Sequence, residues 1–474
     1  MAIVDNPKTL DLDDVQGMII RGYGKLYQTA YFLLKVKDAT EAKKWLKDTH
    51  PKVDSADLNT HPEQTLHLAF TSVGLAALGM EKDNIMAFPI PFREGMVTDD
   101  RSRILGDYAE NAPNKWRWGG DQKNDLHIML IFHAKTDADL DAFMATERAT
   151  IEEGSALEIT TEMKGHLPID GKEPFGFHDG ISQPVVKGSG REGPENDFVE
   201  TGEFLLGYKN EHGQYPFSPL LENNQGNISL LADDAEGSEK KDLGKNGSFM
   251  VYRQIEQHVD KFWAYMAEKT KNEDGTFNDD AKTKLASKCI GRWPSGASLA
   301  LFPDKDPGGN PSNDDFGYAE HDPDGLKCPF GSHLRRNNPR DSFRWYNPKQ
   351  SLKISRRHRI IRRGRNYQLP PKNGEEKGEI GLHFICFNTN IQLQFEFIQH
   401  AWCNNNQLRG LSNDIDIIIG VPPEGDPHSE NGQFTIQNEP TNQFVDSWER
   451  FVTIKGGEYF FFPSMSVLNY LSTI

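Results

Sequence analysis

An aspartate, Asp179, lies in a short segment bounded by glycines, residues 176–180, that runs on to Pro184. Gly176 and Gly180 permit backbone angles and close contacts that a Cβ would prevent. A carboxylate held in such a loop can take up and return a proton during a reaction. Asp-Gly pairs also form ordinary turns, so this segment alone does not distinguish a catalytic loop from a structural one.

Two later segments carry further candidates, His333 within residues 328–340 and Arg362 within residues 358–364. A histidine can bind a metal ion or transfer a proton, and an arginine can stabilise a developing negative charge. A lone histidine in such a context is more often structural than a ligand. Arg362 and Arg363 are neighbours, so on a strand their side chains point in opposite directions and only one can face a shared site.

The three segments, in this order and spacing, resemble the haem-containing dye-decolourising peroxidases, in the form of a long bacterial-type member without a signal peptide. Residues 14–23, 202–208, 246–253 and 291–296 also resemble that family's pattern, so the likeness spans nearly the whole chain. It implies one haem b per chain, bound through His333, with Asp416 as the acceptor for the other ring nitrogen. It implies Asp179 as the acid–base group and Arg362 as the group that stabilises the departing oxygen.

The resemblance suggests further haem contacts, each with a structural alternative. Leu382 and Phe384 lie two apart on a predicted strand and share one face, where the family places apolar residues above the haem; ordinary core packing explains them equally well. His383 would face the other way. Arg292 is a candidate partner for a haem propionate or a structural arginine beside a tryptophan, and His178 is a candidate propionate contact or a neighbour that tunes Asp179.

The resemblance implies a haem peroxidase that reduces hydrogen peroxide and oxidises bulky dyes and phenolic compounds through a ferryl intermediate. Bulky donors cannot pass a narrow channel, so surface aromatics would relay electrons; the candidates are Trp345, Tyr346, Tyr367 and Trp402. One alternative is a protein of the same fold that transports, stores or releases haem, although such a protein needs neither Asp179 nor Arg362. A weaker one is a non-haem metal bound at His333.

The composition of the chain limits the kinds of binding partner and the location that we expect for the protein. The formal net charge of -17 argues against nucleic-acid binding. The arginine run at residues 356–365 is a local exception, for which RNA contact stays open; its alternation with isoleucines indicates a strand entering a core, where an inward arginine needs an anionic partner. No apolar run reaches the length of a membrane span, and neither a signal peptide nor paired cysteine motifs are evident, so we expect a cytoplasmic protein. Assembly into a homo-oligomer stays open.

The elements that must position these residues alternate between strands and helices. Strands are predicted at 30–36, 66–71, 126–133 and 381–387, and a closing hairpin at 451–461. Their partial two-residue polarity favours an α+β fold with antiparallel sheets. The resemblance implies two ferredoxin-like halves with antiparallel sheets flanked by helices and the haem held mainly by the C-terminal half. We divide the chain into 1–215, an N-terminal half with the 176–180 loop; 216–297, a connecting and helical region; and 298–474, a C-terminal half.

Overall fold

The computed structural model describes the chain except residues 1, 2, 5, 310–313, 344, 345, 372, 373, 375, 423–431, 447 and 448. Trp345, one of the predicted relay aromatics, therefore lies outside the described residues. In the remainder of the chain, no helix combines the length and the apolar character needed to cross a membrane.

Eight main strands form two four-stranded antiparallel sheets. They are β1 Gln28–Val36, β2 Gln64–Phe70, β3 Ile128–Ala134, β4 Leu157–His166, β5 Ser248–Gln257, β6 Arg365–Gln368, β7 Ile380–Asn388 and β8 Val452–Phe462. The first sheet has the order β4-β1-β3-β2 and the second the order β6-β7-β5-β8. Each sheet thus places its first and third strands in the centre, which is the ferredoxin-like arrangement and confirms the predicted α+β class.

The two sheets close edge to edge into one barrel. Asn366 of β6 pairs with His166 of β4, and Phe461 of β8 pairs with Phe70 of β2. Each closing contact joins the second strand of one half to the fourth strand of the other. The barrel therefore has an approximate two-fold relationship between its halves, and its closure leaves few free strand edges.

Helices flank the barrel and complete the core. They are α1 Ala39–Thr49, α2 Ser72–Leu78, α3 Lys82–Met86, α4 Ile90–Glu94, α5 Asp99–Leu105, α6 Asp137–Gly154, α7 Val259–Lys269, α8 Asp279–Ile290, α9 Tyr318–His321, α10 His333–Asn337, α11 Pro348–Arg356 and α12 Met465–Leu471. Along β1, Tyr31 and Leu33 pack inside the barrel, whereas Phe32 and Leu34 pack outward with Trp45 of α1. Both faces of the strand are buried, which explains why its sequence reads as one apolar run.

The predicted hairpin at 451–461 is wrong, because β8 runs without a turn from Val452 to Phe462. A Cβ at Gly456 would lie 2.5 Å from the ring of Trp118, so this glycine lets the indole pack against the strand. The register against β5 shifts at this point, as expected for a β-bulge.

The first strand of the second sheet, β5, lies inside the 216–297 segment that was assigned to a connecting region, together with α7 and α8. The three-part division of the chain stays a prediction.

Candidate active site

A cavity lies against the outer face of the second sheet. Ile255 of β5, Leu382 and Phe384 of β7, and Ile454 of β8 form its sheet wall. The loop that contains Asp179 and the short helix α10 also line it. This cavity brings together residues that are far apart in the sequence, including His333, Asp179 and Arg362.

His333 begins α10 and is held by a buried carboxylate. Its Nδ1 lies 2.9 Å and 3.1 Å from the two carboxylate oxygens of Asp416, which has no exposed side-chain surface. Asp416 also accepts hydrogen bonds from the backbone N–H groups of Ile418 at 2.9 Å and Ile419 at 3.1 Å. Burial alone would lower the pKa of His333 and raise that of Asp416, but their mutual attraction reverses both shifts. The described hydrogen bonds of the His333 ring all involve Nδ1, which leaves Nε2 for a ligand in the cavity.

Asn337, which we had not singled out from the sequence, supports the same pair. Its Nδ2 donates to Asp416 Oδ2 at 3.2 Å and to the backbone oxygen of His333 at 2.7 Å. It lies four residues after His333, the spacing at which two side chains share one face of a helix. This spacing is the signal by which the sequence could have indicated it.

Arg362 and Asp179 form an ion pair that lines the same cavity. Arg362 Nη1 lies 3.0 Å from Asp179 Oδ1, and its Nη2 donates to the backbone oxygen of Ile181 at 2.9 Å. Burial would raise the pKa of Asp179, but the charge and hydrogen bond of Arg362 outweigh it, so the pKa lies below the ordinary value. The side chain of Asp179 nevertheless keeps 43% of its surface exposed, because it borders the cavity. The arrangement provides an ionised carboxylate and a guanidinium at one place.

Glu173 fixes the loop that carries Asp179. Its carboxylate accepts hydrogen bonds from the backbone N–H groups of Phe175 at 2.9 Å and Phe177 at 3.0 Å, and from Nε2 of Gln257 on β5 at 2.8 Å. Burial raises the pKa of Glu173 to about 7. We did not identify Glu173 from the sequence, because its partner on β5 lies 84 residues away.

The glycines around Asp179 adopt the left-handed backbone conformation, with φ of 95° at Gly176 and 80° at Gly180. No described protein atom lies within 4 Å of a Cβ built at either glycine. Backbone conformation, rather than close approach of another protein group, therefore requires glycine at these two positions.

Three arginines form a cationic edge of the cavity. Arg292 and Arg340 both pair with the buried carboxylate of Asp314, the latter at 2.5 Å, and Arg359 lies 3.8 Å from Asp197. Arg292 thus has a protein carboxylate as its partner, which agrees with the predicted alternative of a structural arginine. Arg340 and Arg359 lie in the segments 328–340 and 358–364, which also contain His333 and Arg362. We did not identify these two arginines from the sequence, because the segments do not reveal which of several arginines turn inward.

The remaining predicted residues fall into place around the cavity. Leu382 and Phe384 both line it, whereas His383 points into the barrel, where its Nδ1 lies 2.8 Å from the hydroxyl of Tyr252. His178 also borders the cavity. Its ring packs so closely on Gly171 that a Cβ there would lie 2.3 Å from His178 Cε1.

The described relay candidates differ in exposure. Tyr346 is 52% exposed, whereas Tyr367 and Trp402 are buried. The hydroxyl of Tyr367 donates to Glu379 at 2.6 Å. Trp402 packs edge-on against His358, with ring centroids 5.1 Å apart, and His358 borders the cavity.

The chemistry of the lining residues fits a haem. An imidazole with a free Nε2 could bind iron, the apolar sheet wall suits a porphyrin face, and the arginine edge suits its two carboxylates. Among the described residues, no three His, Cys, Asp or Glu side chains come together as a ligand group for a bare metal ion.

Comparisons with known proteins agree with this reading. The family model for the DyP dimeric alpha+beta barrel domain matches residues 14–167. The chain is 28% identical over 505 residues to a dye-decolorizing peroxidase of Mycena epipterygia, covering 96% of this chain and 86% of that protein. It is 27% identical to the multifunctional dye peroxidase DyP2 of an Amycolatopsis strain, with 97% of this chain and 96% of that protein covered.

Solved structures show the same relationship. A dye-decolorizing peroxidase in complex with 2,6-dimethoxyphenol superimposes with a TM-score of 0.76 at 27% identity, covering 98% of this chain and all of that one (100%). An ancestral D-type dye-decolorizing peroxidase gives a TM-score of 0.77 at 26% identity, with the same coverage of 98% and 100%.

The closed α+β barrel with a histidine–carboxylate pair and a carboxylate–arginine pair in one cavity defines a peroxidase-type enzyme. Residues 14–167 match the barrel domain of the dye-decolourising peroxidases, and the chain is similar to members of that family over nearly its whole length.

Proposed function

We propose that this protein is a haem peroxidase that reduces hydrogen peroxide and oxidises dyes and phenolic compounds. The observation that carries the proposal is the joint presence of the His333–Asp416 and Arg362–Asp179 pairs in one cavity. Carriage of haem alone requires the first pair but not the second. The names of the relatives, and the phenol bound to one of the solved structures, support the choice of donors.

A haem b, one per chain, would supply the iron and the electron transfer that the side chains cannot. His333 would hold the iron through Nε2, and Asp416 would orient the imidazole and make it a stronger electron donor. Leu382 and Phe384 would pack against the macrocycle, with Arg340, Arg359 and Arg292 near its carboxylates. Most of these residues belong to the C-terminal half, which supports the proposal that this half mainly holds the cofactor.

Asp179 would accept a proton from the incoming peroxide and return it to the departing oxygen. Its lowered pKa keeps it ionised, and therefore basic, in mildly acidic solution. Arg362 would donate to the oxygen on which negative charge develops. Glu173 would act indirectly, by holding the loop that carries Asp179. His178 lies in the same loop, and its ring makes no described hydrogen bond.

We also propose that the protein works in the cytoplasm. Its four cysteines, Cys289, Cys328, Cys386 and Cys403, are all buried free thiols, which is usual in a reducing compartment.

The test is the absorption spectrum of the haem-loaded protein before and after one equivalent of hydrogen peroxide. We expect a Soret band that changes on addition of peroxide and recovers with a phenolic donor. Asp179→Asn should retain the haem but react with peroxide roughly 100- to 10,000-fold more slowly, the usual contribution of a general base. His333→Ala should lose haem. A Soret band that ignores peroxide in the unmodified protein would instead favour haem handling, and equal peroxide rates in Asp179→Asn would remove that residue from the chemistry.

A further inference from the structure

A second, larger groove adjoins the active-site cavity. It has a volume of about 1470 Å³ and shares Asp179, Arg362 and Leu382 with the cavity as common lining. Its outer part is formed by residues 19–27, 58, 61–63 and 167–170. A molecule in this groove would therefore have one end near the reacting groups and the other at the surface.

Four arginines line the groove without a carboxylate partner. They are Arg21, Arg191, Arg363 and Arg365, and none of them forms an ion pair with any described residue. Arg363 donates to the backbone oxygens of Met18, Ile19 and Arg21, Arg191 to that of Ile20, and Arg365 to that of Gly22. Three guanidinium groups thus converge on one five-residue segment whose carbonyls carry no net charge.

No ion pair among the described residues relieves the mutual repulsion of these arginines, although Asp54 interacts with Arg21 at longer range. Burial, followed by the charges of Arg191 and Arg365, lowers the pKa of Arg363 to about 9. Burial and the charge of Arg21 likewise lower the pKa of Arg191. A concentration of unpaired cations is unusual in a chain of net charge -17 and costs free energy unless an anion binds beside it.

The acidic residues of the groove do not neutralise this cluster. Asp179, Asp197, Asp314 and Glu63 each face another cation, namely Arg362, Arg359, Arg340 and Lys135. Asp170 and Glu192, both exposed, are the groove carboxylates without a cation among the described residues, and Glu173 accepts only uncharged donors. Lys25 adds a further positive charge at the rim. Once the paired charges are set aside, the cations Arg21, Arg191, Arg363, Arg365 and Lys25 outnumber the two exposed carboxylates of Asp170 and Glu192.

Apolar surface lies next to the arginines. Ile169 is 93% exposed and Tyr27 38% exposed, and both border the groove. Arg21 stacks over the ring of Tyr23, at 5.4 Å from its centroid, and Tyr23 also borders the groove. Exposed aromatic and aliphatic side chains beside unpaired guanidinium groups suit a ligand that is both aromatic and anionic.

We propose that this groove binds the anionic group, a sulfonate or carboxylate, of an aromatic electron donor and holds the ring toward Asp179 and Arg362. The proposal rests on the peroxidase function and adds to it the charge of the preferred donor. Arg191 and Arg21 form the accessible part of the site. Arg363 and Arg365 are more deeply held by carbonyls and set the positive potential behind them.

The test uses the haem-loaded enzyme without peroxide and naphthalene-2-sulfonate as the probe, titrated by calorimetry. Arg191→Gln should weaken sulfonate binding about tenfold, and Arg191→Gln with Arg21→Gln should weaken it further. Arg148→Gln is the matched control, because it removes one partly exposed arginine that pairs with Glu162 outside the groove. Naphthalene-2-methanol, the uncharged analogue, should be indifferent to all these changes, and inorganic sulfate should compete with the sulfonate.

Turnover provides a second readout. With a sulfonated dye as donor, Arg191→Gln should raise KM about tenfold and leave kcat unchanged, whereas the kinetics with 2,6-dimethoxyphenol should stay the same. Equal sulfonate affinities in Arg191→Gln, Arg148→Gln and the unmodified enzyme would overturn the proposal. Arginine-dependent sulfonate binding in an enzyme that shows no turnover would refute the peroxidase function and leave the anion site standing.

Discussion

Replacing Asp416 by asparagine tests how His333, the proposed haem ligand, is held. The carboxylate accepts from four donors: Oδ1 from the N–H groups of Ile418 and Ile419, and Oδ2 from Asn337, with His333 Nδ1 near both oxygens. An amide can keep its oxygen toward Ile418 and Ile419 only by turning its NH2 group toward His333 and Asn337, which are themselves donors. His333 would lose its acceptor and its fixed orientation.

The expected cost follows from that loss. Removing the carboxylate partner of a metal-binding histidine typically weakens metal affinity 10- to 100-fold, which corresponds to roughly 1.4–2.7 kcal/mol. The loss of one hydrogen bond to a charged group, about 1.5–3 kcal/mol, gives a similar figure. We therefore expect Asp416→Asn to bind haem 10- to 100-fold more weakly, as measured by titrating the haem-free protein and following the Soret band.

Asp414→Asn provides the control for damage to the same buried segment. Asp414 accepts from the backbone N–H of Thr435 at 2.7 Å and from its hydroxyl at 2.9 Å, and has no described contact with His333. The Asp414→Asn variant should bind haem with the same affinity as the unmodified protein. Unchanged affinity in Asp416→Asn, or an equal loss in Asp414→Asn, would refute the reasoning that the carboxylate acts through the imidazole.

Three further changes probe the surroundings of the site. Arg362→Gln removes the charge that compensates the burial of Asp179, so the pKa of Asp179 should rise. In stopped-flow measurements, the acid limb of the pH profile for the peroxide reaction should then move to higher pH. If the acid limb does not move, it belongs to another group. Burial raises the pKa of Glu173 to about 7, so folding favours its protonated form. The stability that this group contributes is therefore fully present below about pH 4.5. It is lost as pH rises through 7, which lowers the free energy of unfolding by about 3 kcal/mol. Denaturant melts of Glu173→Gln should lack this pH dependence, and a parallel loss in both proteins would contradict the assignment. Arg335 is fully buried and pairs with Asp322 at 2.7 Å. Replacing Arg335 by leucine should lower the free energy of unfolding by roughly 3–5 kcal/mol, because Asp322 is left buried without a compensating charge. A change below about 1 kcal/mol would show that Asp322 does not need this partner.

Residues with a local signature could be identified from the sequence, and residues whose partners are distant could not. The glycines around Asp179 mark its loop, and the two-residue period of β7 separates Leu382 from His383. Asp416 lies 83 residues from His333, and only the resemblance to a family linked them. Glu173 had no such link, so it was missed.

The barrel illustrates the same limit at the level of the fold. Alternating strands and helices, with partial two-residue polarity in the strands, predicted the α+β class, and the family resemblance implied the two ferredoxin-like halves. The closure depends on single residue pairs, one of them between Asn366 and His166, which no local pattern marks. The predicted hairpin is wrong because β8 continues through residues 455–457 without a turn, and Gly456 accommodates the ring of Trp118, which is distant in sequence.

The position of the Asp179 loop shows how the two halves share the site. The loop follows the last strand of the first sheet, yet three of its described anchors lie in or after the first strand of the second sheet: Gln257 of β5 holds Glu173, Trp263 of α7 donates to the backbone oxygen of Phe175 at 3.1 Å, and Arg362 holds Asp179 itself. The first sheet contributes by closing the barrel, while the chain from β5 onward supplies both His333 and three described contacts that hold the Asp179 loop. The position of Asp179 therefore depends on residues that follow the first sheet in the chain, and one of them, Arg362, lines the same cavity as His333.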